Sequence, residues 1–225
     1  MGLRTLIVIP AYNEEGNIGP LLNKIYTLFP SQDVLIVDDG SQDKTAVDAE
    51  KAGAKVIKQA KNLGKGLALR RGFDFAIQSG YDEVITMDGD GQHNPSEIPK
   101  FLSASKREEG NLIIGTRNHN LLEMPLVRFF VNNITSLIAS LLAGIRIHDS
   151  QSGYRLIKTK LLKDIDLKTS RFQTETEIIV KAVRSGFQVK EIPIEILYID
   201  KSRSHINPLI DTIRFFILAL KLLWR

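Results

Sequence analysis

Two carboxylates one residue apart, Asp88 and Asp90, alternate with Gly89 and Gly91 just past the apolar run 83–87. In a turn both carboxylates can reach a common point, and glycine lets the backbone bend tightly enough to bring them there. Hard divalent cations such as Mg²⁺ or Mn²⁺ take oxygen ligands of this kind and often share them with substrate phosphates. Gln92 or His93 could add a ligand. Asp and Gly are also ordinary turn residues, so the pair alone reads more readily as a polar turn. What surrounds it decides between the two.

The elements that must position this pair follow from hydrophobic patterning. Short apolar runs at 6–9, 34–37, 54–58, 83–87 and 112–115 alternate with helical patterns at 17–28, 44–52, 66–78 and 95–106. Alternation at this pitch predicts an α/β fold with a doubly wound parallel sheet and helical crossovers. Ligands of such sheets bind beyond the carboxyl ends of the strands. Every strand is followed there by polar, acidic or glycine-rich residues: Pro10, Tyr12, Asn13, Glu14 and Glu15; Asp38, Asp39, Gly40 and Ser41; Asn62 to Gly66; the Asp88 loop; and Arg117. Asp38 or Asp39 could accept hydrogen bonds from a base or ribose, as acidic residues do in other nucleotide folds. Ser41 and Asn17 also read as helix caps. Lys65 is not part of a Walker A loop. At a helix start it reads either as a diphosphate contact or as a solvated lysine.

The second half differs. A long apolar helix is expected at 125–144, with Arg128, Asn132, Ser136 and Ser140 on one stripe. Asp149-Ser150-Gln151-Ser152-Gly153-Tyr154-Arg155 follows, then a helix near 174–185 and strand-like runs at 188–192 and 195–198. The last segment, 208–224, is apolar but carries Asp211, Arg214 and Lys221 on nearly one face. That suits an amphipathic helix lying on a bilayer, or packed on protein, better than a spanning helix.

Four motifs in order, Asn13-Glu14-Glu15, Val37-Asp38-Asp39-Gly40-Ser41, Asp88-Gly89-Asp90-Gly91-Gln92-His93 and Asp149 to Arg155, resemble the family 2 inverting glycosyltransferases of the GT-A fold. Within them the chain is similar to the dolichyl-phosphate mannose synthase group over roughly 4–207. The resemblance implies a Rossmann-like, mostly parallel sheet with flanking helices and a C-terminal amphipathic helix. It divides the chain into a glycosyltransferase domain at 1–205 and a terminal helix at 206–225, the domain having a nucleotide-sugar half at 1–118 and an acceptor half at 119–205.

It also implies roles. Pro10, Tyr12, Glu14, Asp38, Asp39, Lys65 and Asp88 would hold a nucleotide-diphosphate sugar such as GDP-mannose or UDP-glucose. Asp88, Asp90 and Gln92 would hold Mg²⁺ or Mn²⁺. Arg117, Arg128, Asn132 and Arg203 would hold the acceptor phosphate of a polyprenyl lipid. Asp90, Arg117, Asp149 and Arg155 would form the catalytic set. Arginine suits a phosphate dianion because its planar fork binds two oxygens at once. A phosphate acceptor is largely ionised at pH 7 and needs little help from a base. A saccharide hydroxyl acceptor would need one, with Asp149, Glu175 and Glu177 as candidates. A binding subunit without turnover is the remaining alternative.

The 225 residues suit one large α/β domain, and a 43% hydrophobic content suffices for its core. The absence of cysteine excludes disulfides and cysteine-based zinc sites. A net charge of +4 mildly favours anionic partners, but no dense basic cluster with interleaved aromatics points to nucleic acid. The start of the chain reads as a strand rather than a secretory signal. The expected setting is the cytoplasm or the cytoplasmic face of a membrane, with a membrane-protein partner or a second copy of the chain as the expected company.

Overall fold

The computed structural model describes residues 2–117, 126–171 and 173–197, with the backbone alone for 126–130. Arg203 and the amphipathic helix expected at 206–225 lie outside the described residues, and so does the side chain of Arg128.

Strands β1 (Thr5–Ala11), β2 (Asp33–Asp38), β3 (Lys55–Lys58) and β4 (Glu83–Thr86) alternate with helices α1 (Ile18–Leu28), α2 (Thr45–Lys51) and α3 (Lys65–Gln78). A 3₁₀ turn at Pro95–Glu97 then leads into α4 (Ile98–Lys106), β5 (Leu112–Arg117) and α5 (Leu126–Ala143). β6 (Arg155–Lys158), α6 (Thr159–Asp164), α7 (Thr174–Arg184) and β7 (Val189–Ile194) complete the series. Among the described residues the sheet runs β3-β2-β1-β4-β6-β5-β7.

Strand alternation builds a core on each face of the sheet. Leu6, Val8, Leu35 and Val37 pack with Ala68, Leu69 and Phe73 of α3 and with Ile178 and Ile179 of α7. Ile7, Ile9 and Ile36 pack on the other face with Leu21, Leu22 and Ile25 of α1 and with Phe101 of α4.

The sheet is mostly parallel, as the resemblance implies, and the exception is β6, which is antiparallel to both β4 and β5. Sequence patterning misses this strand because only Leu156 and Ile157 supply an apolar run, between Arg155 and Lys158. The reversal matters for the site. With Thr86 opposite Arg155, the first residue of β6 lies at the sheet edge where β4 ends. The segment 149–154 is thereby delivered to the loops that follow the parallel strands.

Ser136 and Ser140 of the polar stripe on α5 are turned inward. Ser136 Oγ accepts from Ser150 N at 3.0 Å, and Ser140 Oγ accepts from Ile147 N at 2.9 Å. The outward face is apolar instead, with Ile134, Leu137 and Leu141 at 50%, 61% and 75% exposure. No helix among the described residues is long and apolar enough to cross a membrane.

Candidate active site

The loops after β1 and β2 are laced together. Asn13, at φ 54°, accepts from Gln42 N through its side-chain oxygen, and its own N–H donates to Ser41 Oγ at 2.9 Å. Glu14 N donates to Thr45 Oγ1 at 2.7 Å. Asn17 stands at the N-cap of α1 as expected but makes no capping bond with its side chain, and Ser41 does not cap α2. Asn17 instead donates to Glu14 Oε2 at 2.6 Å, and Ser41 donates to Asp38. Local carboxylates compete for these short polar side chains better than the helix ends do.

Asp38 and Asp39, expected to face a nucleotide, are engaged by the protein itself. Asp38 Oδ1 accepts from Ser41 N at 3.0 Å. Asp39 is buried and accepts from Leu63 N and Gly64 N, both at 2.8 Å, and from Gln59 Nε2 at 2.6 Å. Burial still pushes its pKa up against these bonds. Its local work is to fix the loop that carries Lys65.

Lys65 is neither solvated nor alone. Its ammonium stands 2.6 Å from Asp88 Oδ1 and 2.8 Å from Glu175 Oε1, with 16% side-chain exposure. Burial opposes its charge, but the two carboxylates raise its pKa above the ordinary lysine value. Burial likewise opposes ionisation of Asp88, yet the Lys65 ammonium holds its pKa down at about 2. The pKa of Asp90 goes the other way. Burial and the neighbouring Asp88 charge push it up, against a 2.9 Å bond from Gln92 N. Two nearby carboxylates, one held ionised beside a lysine and the other raised in pKa by burial and its neighbour's charge, form a pair that a dication would relieve.

This donor set fits a hard cation that shares its coordination with a diphosphate. Among the described residues no cluster of three acidic or histidine side chains could enclose a metal without such help. His93 is unsuited as a ligand here. Its Nδ1 accepts from Asp88 N at 2.9 Å, and its ring stacks on Tyr154 with centroids 4.9 Å apart. Burial lowers its pKa, which keeps the ring neutral and able to accept. It shapes the loop. Gln92 anchors the chain after β7, its carbonyl accepting from Leu197 N at 2.8 Å. Pro10 is buried in β1, whereas Tyr12 and Asn132 are half-buried.

The 149–155 segment closes the site. Arg117 and Asp149 form a bidentate pair at 2.7 and 2.8 Å, and Arg117 N also donates to Asp149. Arg155, read from sequence as catalytic, is 1% exposed and donates to three backbone carbonyls, Ser152 at 2.7 Å, Glu175 at 2.6 Å and Ser150 at 2.8 Å. That makes it a positioning residue, because a guanidinium so enclosed has no path to a reacting atom. Of the candidate bases, Asp149 is held by Arg117. Glu177 accepts from Lys168 N, Thr169 N, Thr169 Oγ1 and Lys181 Nζ. Glu175 faces Lys65. Its partnership with Lys65 is the functional contact that sequence reasoning missed, since residues 65 and 175 are 110 positions apart with no motif linking them.

Gly153 sits where nothing larger fits. A Cβ there would come within 2.7 Å of Asp88 Oδ1 and 2.9 Å of Lys65 Nζ. These are ends of side chains that can shift, so Gly153→Ala should fold while displacing the carboxylate. Displacing a reacting geometry by about 1 Å costs roughly 100-fold in rate. The expected result in a kinetic assay is a kcat/KM loss of that order with little change in melting temperature. Wild-type kinetics would mean that Asp88 need not stay where it is.

The model of the family described as "Glycosyl transferase family 2" matches residues 6–166, and the chain belongs to that family. It is 30% identical over 203 residues to a polyprenol monophosphomannose synthase of Mycolicibacterium smegmatis, covering 85% of this chain and 76% of the relative. It is 32% identical over 218 residues to a UDP-N-acetylglucosamine–dolichyl-phosphate N-acetylglucosaminyltransferase of Methanococcus voltae, covering 87% and 86%. Among solved structures, glucosyl-3-phosphoglycerate synthase of Mycobacterium tuberculosis, in complex with Mn²⁺, UDP and phosphoglyceric acid, matches with a TM-score of 0.74 at 20% identity, over 99% of this chain and 78% of that one. That likeness shows a shared GT-A fold. Family and relatives together make this chain a glycosyltransferase.

Proposed function

We propose that this glycosyltransferase moves a hexose, with inversion, from a nucleotide-diphosphate sugar to a polyprenyl phosphate at a membrane surface. The observation that carries the donor half is the Asp88–Asp90 pair at the end of β4, with one carboxylate answered by Lys65 and the other raised in pKa. Asp88 and Asp90 would hold Mg²⁺ or Mn²⁺, with Gln92 beside them. The cation would supply Lewis-acid stabilisation of the departing diphosphate.

The chain's own residues do the positioning. The Asn13–Glu15 and Asp38–Ser41 loops, braced on each other, form one wall for the base and ribose. Asp149 fixes the guanidinium of Arg117 at the end of β5, on the same edge of the sheet. The phosphate acceptor is supported by the relatives' substrates and by the candidate bases. Asp149, Glu175 and Glu177 are each occupied by a cation or by backbone donors, whereas an ionised phosphate needs no base for in-line attack on the anomeric carbon. The exposed stripe Ile134, Leu137 and Leu141 favours a lipid surface, since contiguous exposed apolar side chains are disfavoured in water.

Calorimetric titration with GDP and UDP, with and without Mn²⁺, tests the donor half. One nucleotide should bind at least about tenfold tighter with the metal. Equal, metal-indifferent binding of both would count against the assignment of Asp88 and Asp90.

A further inference from the structure

The site holds a cation of its own. Lys65 lies 2.6 Å from Asp88 Oδ1 and 2.8 Å from Glu175 Oε1. Glu175 is 3% exposed, and apart from the Lys65 ammonium at Oε1 neither of its buried carboxylate oxygens has a hydrogen-bond partner among the described residues. A carboxylate kept in such a place needs a cation.

The two residues are also held together by elements that do not depend on ligand. Asp39 fixes the N–H groups of Leu63 and Gly64, immediately before Lys65 opens α3. Leu67 N donates to Ser170 O at 3.1 Å. Gly66 lies so close to the chain leading into α7 that a Cβ would meet Ser170 C at 2.6 Å and Arg171 O at 2.7 Å. Glu175 is the second residue of α7. The start of α3 and the start of α7 are therefore locked in register, and the flexible part is the lysine stem.

We propose that Lys65 takes the cation's place at Asp88 when no metal is bound, and that Glu175 is the positioning residue that receives its ammonium when a divalent cation claims Asp88. This rests on the metal reading of Asp88 and Asp90. A lysine fixed only on Asp88 would compete with the metal at every turnover. Glu175, with one oxygen already on the ammonium and a second without a donor, offers it somewhere to go without crossing solvent. No proton need move in the exchange: Asp88 passes from ammonium to metal, and Lys65 and Glu175 become a neutral pair.

Titration of the protein with Mn²⁺, alone and with saturating GDP or UDP, following the free ion by electron paramagnetic resonance, reads this exchange without any reaction. Lys65→Met should tighten Mn²⁺ binding and Glu175→Gln should weaken it, each by about tenfold, as expected for a unit charge gained or lost near the ion in a partly buried site. In the Lys65→Met background, Glu175→Gln should weaken binding by a clearly smaller factor than in the wild-type background, because only the direct effect of the lost charge is left and the part that acts through the lysine is gone. Should Lys65→Met fail to fold around an unpaired Glu175, the double variant carries the test, and it must bind Mn²⁺ more tightly than Glu175→Gln alone. Affinity that is unchanged or weakened on removing the lysine overturns the exchange while leaving the metal site standing. No Mn²⁺ binding in any form, with GDP or UDP added, overturns the metal reading and the exchange with it.

Discussion

Asp90→Ala should lower kcat/KM by about three orders of magnitude or more, the scale expected when metal-borne charge stabilisation is lost from a transfer step, yet leave the protein at least as stable as wild type. The two halves of this result have one cause. Asp88 has Lys65 as a counter-charge. Asp90 is pushed toward its protonated form by burial and by Asp88, with Glu14 adding to the repulsion. Burial and the like charge disfavour the ionised form of a carboxylate so placed, and a dication offsets both. Alanine relieves that repulsion and removes a ligand together. Steady-state transfer rates with saturating Mn²⁺ and a thermal melt of the metal-free protein check both halves. An Asp90→Ala variant that keeps its activity in the presence of chelator would remove the metal from the account.

Arg155→Met should have the opposite profile, a large loss of stability. The guanidinium is fully buried at the start of β6 and binds the carbonyls of Ser150, Ser152 and Glu175. Methionine fills much of the volume but leaves three carbonyls without their donor. Burial lowers the pKa of Arg155 to about 10, so the group is still charged at pH 7, and bonds from a charged donor are the stronger kind. Stranding such buried acceptors costs about 3 kcal/mol or more, which for a chain of this size lowers the melting temperature by roughly 10 °C. Arg155→Lys keeps the charge but lacks the three-way fork, and should recover only part of the loss. If Arg155→Met melted like wild type, the segment 149–154 would be held by something other than this residue.

Much of the fold could be read from the chain because its signals are local. The first four strands and their helices are marked by apolar runs and helical periodicity, and their bounds differ from expectation by a residue or two. β6 escaped because its burial comes from position in the sheet rather than composition, and its first residue is an arginine. The site divides the same way. The Asp88–Asp90 turn lies beyond its strand as expected, next to the loops after β1 and β2. What those loops do with their carboxylates was not legible. Asp39 and Glu177 bind backbone N–H groups brought near by tertiary packing, and such contacts leave no spacing in the sequence. Arg155 and Asp149 carry motif types that suit chemistry, but their enclosure, at 1% and 2% exposure, is a product of the folded chain.

Transfer itself is the measurement that tests the central claim most directly. The purified protein would receive radiolabelled GDP-mannose, UDP-glucose or UDP-N-acetylglucosamine with Mn²⁺ or Mg²⁺ and a polyprenyl phosphate in detergent. The account predicts label in the organic phase from one donor, dependent on both metal and lipid phosphate, and abolished by Asp90→Ala. Label that stays in the aqueous phase with every donor, while the same protein glycosylates a saccharide hydroxyl, would contradict it.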